Sequence, residues 1–84
     1  MGAQSQWFET VCAVVAETLE VDRGEIDEST CSAVMPCWDS LAHLMIINAI
    51  ERRFDIRIPK ITAYTVKNVG ELSDTVGAEL AKGQ

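Results

Sequence analysis

Phe8, Val11, Cys12, Val15 and Leu19 recur at the spacing of one helical face. Ser5 stands just ahead as the expected N-cap, and Glu9 puts a negative charge in the first turns, where the helix dipole favours it. The spacing predicts a first helix from about Gln6 to Glu20, with Gly24 as the first strong breaker. From Val21 to Trp38 no period is sustained. Acids, Ser29, Thr30, Ser32 and Pro36 predict a long connection, ordered in part, with Val21, Ile26, Val34 and Met35 as its anchors to the core.

The clearest element is a second helix from about Ser40 to Phe54. His43, Ile46, Ile47, Ile50 and Phe54 fall within an arc of about 100°, and that face is predicted to be core. Leu41, Leu44, Met45, Asn48 and Arg52 fall on the opposite side, apolar only in the first turns. An apolar patch of Leu41, Leu44 and Met45 is therefore expected beside the helix start, either as a contact site or covered by another helix. Asp55 suits a left-handed helix end, and Ile56-Arg57-Ile58 alternates as a short extended segment before Pro59. Residues 60–64 leave room for one helical turn at most. Thr65 is the expected cap of a last helix, with Val66, Val69, Leu72, Val76 and Leu80 inward and Gly77 weakening its middle. The expectation is one all-α domain over 1–84. It is a small bundle of three to four helices with a long first connection and a short third turn, frayed at 1–5 and 81–84.

Charge narrows the partners. The 84 residues hold 13 acidic and 7 basic side chains, a formal charge of −6. Residues 1–50 carry eight acids and only Arg23 as a base, whereas residues 51–84 are nearly balanced. That acidity argues against nucleic acid, which requires clustered Lys and Arg. It suits basic protein surfaces, or solubility alone. No apolar run approaches the length of a membrane span and no leader pattern is visible, so the expected compartment is the cytoplasm. Cys12, Cys31 and Cys37 are odd in number and lack a paired spacing, which reads as reduced thiols.

Chemistry concentrates at Trp38-Asp39-Ser40-Leu41, where the connection meets the second helix. Asp39 is a good N-cap, and Ser40 then presents its hydroxyl at the first helical position. A phosphate esterified there would face the positive end of the dipole and the unpaired N–H groups. Plain capping explains the same three residues. A hydrolytic set of Asp39, Ser40 and His43 lacks an oxyanion hole, and His43 turns toward the core side. Cys31, Cys37 and His43 match no common zinc spacing, so no metal is expected. Cys37 reads as a loop filler before it reads as a reactive thiol, and Trp7 and Trp38 as bulky anchors, with Trp38 also a candidate for partner contact.

From Trp7 to about Leu80 the chain resembles the acyl carrier proteins. The matching features run in order: an amphipathic first helix, Leu19-Glu20-Val21 before an acidic loop with Ile26, then Trp38-Asp39-Ser40-Leu41. Ala49-Ile50-Glu51, the run from Phe54 to Pro59 and Thr65-Val66 follow. The resemblance implies a bundle that is not an enzyme. It implies 4'-phosphopantetheine joined to Ser40 by a phosphopantetheinyl transferase, with Asp39 positioning the site and Leu41 beside it. Acyl groups would then ride on the arm's thiol, exchanged with acyl-loading and acyl-processing enzymes such as an acyltransferase, a ligase or a ketosynthase. Leu41, Leu44, Met45, Trp38 and Arg52 are the expected docking residues of a monomer.

Two departures shape the expected pathway. Carriers of fatty-acid synthesis usually bear acids after the Ser-Leu pair, whereas here Ala42 and Met45 stand there and Arg52-Arg53 follow Glu51. This and Trp38 resemble stand-alone carriers of specialised, polyketide-like pathways. The short segment between Pro59 and Thr65 argues against a well-formed third helix and a pocket for a long acyl chain. An aminoacyl or peptidyl carrier and an unmodified helical adaptor are the competing readings.

Overall fold

The computed structural model describes residues 5–31, 35 and 37–82. Four α-helices follow one another: α1 (Ser5–Leu19), α2 (Ser40–Phe54), α3 (Lys60–Thr65) and α4 (Val69–Lys82), with one 3-10 turn at Arg23–Glu25. There is no strand among the described residues. The fold is all-α, as the periodicity predicts. α1 packs against both α2 and α4, because its stripe of Val11, Cys12 and Val15 meets Ile46 and Ile50 of α2 and Val69, Leu72 and Val76 of α4 in one core. All eight side chains are shut off from solvent, and each large one contributes roughly 1.5–3 kcal/mol by burial.

The helix ends are set by backbone geometry that the core pattern does not reveal. α1 stops at Leu19, one residue before the expected end, because Glu20 takes a left-handed conformation at φ 60°. Its N–H donates to the Glu17 carbonyl and that of Val21 to the Ala16 carbonyl, so Gly24 is not the terminator. α2 has the expected bounds, and Asp55 is left-handed at φ 55° as its residue type suggests. The Glu51 carboxylate then accepts the Ile58 N–H at 2.8 Å, which holds Ile58 in the core.

The first connection is pinned down. Ile26 is buried, and Val21 and Met35 are half-buried against the core, while Val34 lies outside the described residues. Asp27 organises a tight turn: its Oδ1 accepts from the Ser29 N–H and hydroxyl and from the Thr30 hydroxyl. The carbonyls of Glu28 and Thr30 then accept the N–H groups of Gly70 and Val69, so the loop seals the start of α4.

Further expectations are corrected. α3 is a six-residue helix, longer than the single turn foreseen. The last helix begins at Val69 rather than beside Thr65. Asn68 Oδ1 accepts the Glu71 N–H at 2.8 Å while Glu71 Oε1 accepts the Lys67 N–H at 2.9 Å, a reciprocal cap. Thr65 instead closes α3, its hydroxyl donating to the Thr62 carbonyl. Ser5 is already part of α1, not ahead of it, and α4 runs through Ala81 and Lys82. Residues 1–4, 83 and 84 lie outside the described residues. Gly77 also has a purpose: a Cβ there would stand 2.8 Å from Cζ2 of Trp7, whose indole lies on the glycine.

Candidate functional site

The mouth of α2 is built by Asp39. Its backbone is extended, its Oδ1 accepts the Ala42 N–H at 2.9 Å, and its carbonyl accepts the His43 N–H at 2.8 Å. Ser40 is the first helical residue and is exposed. The N–H groups of Ser40 and Leu41 have no partner among the described residues. An exposed hydroxyl thus stands with two N–H donors that are unpaired among the described residues, at the positive end of a 15-residue helix.

Beside Ser40 runs an open groove of about 680 Å³, bounded by Trp38, Asp39, His43 and Leu44 on one side and by Tyr64 and Val66 on the other. His43 ties its walls together. Its Nδ1 accepts the Trp38 indole N–H at 3.1 Å, and its Nε2 donates to the Ala63 carbonyl of α3 at 2.7 Å. Only the neutral ring with its proton on Nε2 makes both bonds. The Trp38 and His43 rings also stack, with centroids 6.1 Å apart.

Leu41, Leu44 and Met45 project outward at 66%, 54% and 50% exposure, and no other helix covers them. Arg52 is exposed too, beside a second open groove between α1 and α2 that Met45, Asn48 and Arg53 share. Neither arginine forms an ion pair among the described residues. Trp38, at 4% exposure, is core as a bulky anchor should be, and it lines the groove. Ile61 and Tyr64 on α3, both exposed, extend the apolar surface across the groove. Their i, i+3 spacing in the short 60–65 segment is the signal that would have found them.

The other reactive types are dispersed. Both ring nitrogens of His43 are engaged by Trp38 and Ala63, so it is not paired with Ser40 or Asp39. No three His, Cys, Asp or Glu side chains among the described residues gather as a metal site. Cys12 is buried, which pushes its thiol pKa up, while Cys37 is exposed and fills nothing.

A family profile described as "Phosphopantetheine attachment site" matches residues 9–76. The chain belongs to this family. It is similar to the acyl carrier protein of Prochlorococcus marinus, with 32% identity over 82% of this chain and 86% of that one. It is also similar to that of Helicobacter pylori, with 35% identity over 77% and 83%. A holo acyl carrier protein from Geobacter metallireducens, solved by NMR, superposes with a TM-score of 0.81 at 25% identity, covering 90% of this chain and 87% of that one. The family's group is covalently attached 4'-phosphopantetheine. The residues at the α2 mouth fit such a group: an exposed hydroxyl, two N–H donors without a partner among the described residues, and a groove alongside. No helix among the described residues is long and apolar enough to cross a membrane.

Proposed function

We propose that this chain is a monomeric acyl carrier of the cytoplasm whose phosphopantetheine is esterified to Ser40, and that it shuttles acyl thioesters between enzymes without catalysing a reaction itself. The carrying observation is the exposed Ser40 at the first position of α2, directly after the capping Asp39. When bound, the group supplies a thiol at the end of a flexible arm, on which acyl chains ride as thioesters. Ser40 provides the oxygen that a phosphopantetheinyl transferase joins to phosphate. Asp39 holds the first turn open by taking the Ala42 N–H, and the free N–H groups of Ser40 and Leu41 face the diester charge. Leu41, Leu44 and Met45 form the apolar docking face toward acyl-loading and acyl-processing enzymes, with Arg52 at its far end.

A specialised, polyketide-like pathway fits this face better than housekeeping fatty-acid synthesis. Ala42 and Met45 replace the acids usual after the Ser-Leu pair, and Arg52 and Arg53 add positive charge. The test is intact-protein mass spectrometry after incubation with coenzyme A, magnesium and a promiscuous transferase. Wild type gains one phosphopantetheine and Ser40→Ala gains none; no gain on wild type, or an equal gain on both, rejects the assignment. Loading of the product by an acyl-transferring rather than an adenylating enzyme separates an acyl from an aminoacyl carrier.

A further inference from the structure

We propose that His43 is a positioning residue for Ser40: a neutral imidazole that fastens Trp38 to α3, and whose protonation releases Trp38. The functional consequence rests on the Ser40 assignment; the lock itself does not. Trp38 is buried two residues before Ser40, in the last stretch of connection before α2. Its indole N–H donates to His43 Nδ1. The opposite edge of the same ring donates to the Ala63 carbonyl, one residue before Tyr64 of the groove wall. One side chain therefore sets both the loop that delivers Ser40 and the helix across from it.

Chemistry makes this lock conditional. A second proton on the imidazole occupies the Nδ1 lone pair, so two N–H groups then face each other where one bond stood. The bond to Ala63 survives, because Nε2 keeps its proton. Protonation thus frees Trp38 while leaving His43 attached to α3. Imidazole is the ordinary side chain that changes charge between about pH 5 and 8. The titratable groups sharing the groove with His43 are Asp39, at the end of the connection, and Tyr64 on α3. The Asp39 carboxylate is bonded to the Ala42 N–H.

Two substitutions divide the bonds. In Gln the amide nitrogen lies near the place of Nε2, so His43→Gln keeps the Ala63 bond and loses the acceptor for Trp38. In Asn the amide oxygen lies near Nδ1, so His43→Asn keeps the indole bond and loses α3. The deciding experiment is an NMR titration of wild-type apo protein from about pH 8 to 5. The imidazole nitrogens should show the Nε2–H tautomer at the alkaline end. The Trp38 indole N–H resonance should move with the same midpoint as the His43 ring. In His43→Gln that resonance should sit near the acidic wild-type position and ignore pH. An Nδ1–H tautomer, or an indole resonance that stays still while His43 titrates, overturns the lock without needing either variant. The ratio of transfer rates onto Ser40, wild type over His43→Gln, cancels the transferase's own pH profile and should fall toward one as the pH drops. A flat ratio overturns the coupling to Ser40. Absence of transfer in both refutes the Ser40 assignment instead, and the indole titration still decides the lock.

Discussion

Asp39→Ala tests how the site is held. The substitution removes the carboxylate that accepts the Ala42 N–H at 2.9 Å, leaving the N–H groups of Ser40, Leu41 and Ala42 all without a partner among the described residues. Loss of an N-cap side chain costs about 0.5–2 kcal/mol. Asp39 is exposed, so water takes over part of the bonding and the middle of that range, about 1 kcal/mol, applies. For a domain of this size that lowers the melting temperature by roughly 4–8 °C. Asp39→Asn keeps a capping oxygen and loses only the charge, so it should lose only about 0.3 kcal/mol. Thermal melts by circular dichroism, with urea titrations to show an unchanged m-value, measure both. An 84-residue chain has on the order of 4–13 kcal/mol in hand, so each variant stays folded during an assay. A slower transfer onto Ser40 then reports the first turn of α2 and not global unfolding. About 1 kcal/mol of lost local order corresponds to about a fivefold drop in the kcat/KM of transfer for Asp39→Ala. The reasoning fails if Asp39→Ala melts and is modified like wild type, or if Asn falls as far as Ala.

Gly77→Ala should destabilise the wild type by about 1 kcal/mol, since a Cβ 2.8 Å from the Trp7 ring overpacks the α1–α4 contact by more than the gain in helix propensity. In a Trp7→Leu background the same substitution should stabilise by up to about 1 kcal/mol, and urea titrations of all four proteins read the change of sign. Glu20→Gly should raise stability by about 1 kcal/mol, because glycine adopts the left-handed C-terminal position at φ 60° without the Cβ penalty; an unchanged urea midpoint contradicts this. Hydrogen bonds from the Ser29 hydroxyl and N–H, then from Thr30, hold the Asp27 carboxyl below the ordinary carboxylate range. Its stabilisation is therefore present above that range and lost as the pH falls through the lowered value. Asp27→Asn should flatten the acid limb of a melting-temperature profile, and an unchanged limb removes Asp27 from the account.

α2 was legible to the residue, because a helix with one continuous apolar face and a cap at each end writes its bounds in local sequence. The exposed patch followed from the same angular argument: Leu41, Leu44 and Met45 oppose Ile46, Ile47 and Ile50, and one helix presents one face to a small core. What escaped depends on groups brought together by folding. Trp38 reads as a bulky anchor, but its bond to His43 shows only when α3 places the Ala63 carbonyl where His43 bridges it to the indole. A buried indole N–H needs an acceptor, and the neighbouring histidine was the available sign of one. The start of α4 was misplaced because apolar Val66 extends the inward stripe past the true cap. The pair Asn68 and Glu71, three residues apart, carried the better signal. Gly77 reads as a weak point along its own helix and becomes a fitted position only when Trp7 of α1 arrives.

The geometry around Ser40 gives that residue a fixed base. Asp39 caps the first turn, His43 joins Trp38 to α3, and the carbonyls of Glu28 and Thr30 hold the first connection to α4. Ordering backbone on docking costs about 1–2 kcal/mol per residue, and on the docking face proposed above a base already ordered leaves only the side chains of Leu41, Leu44 and Met45 to settle. Those residues, with Ile61 and Tyr64 across the groove, offer a small apolar surface. Contacts on that scale sit at the low end of protein interfaces, below about 1,200 Å², where complexes form and part readily. A carrier needs that balance, because each enzyme it loads from must release it before the next receives it. Deepening the patch with larger apolar side chains would lengthen each visit through slower dissociation, and turnover across successive partners would fall even as affinity for each one rose.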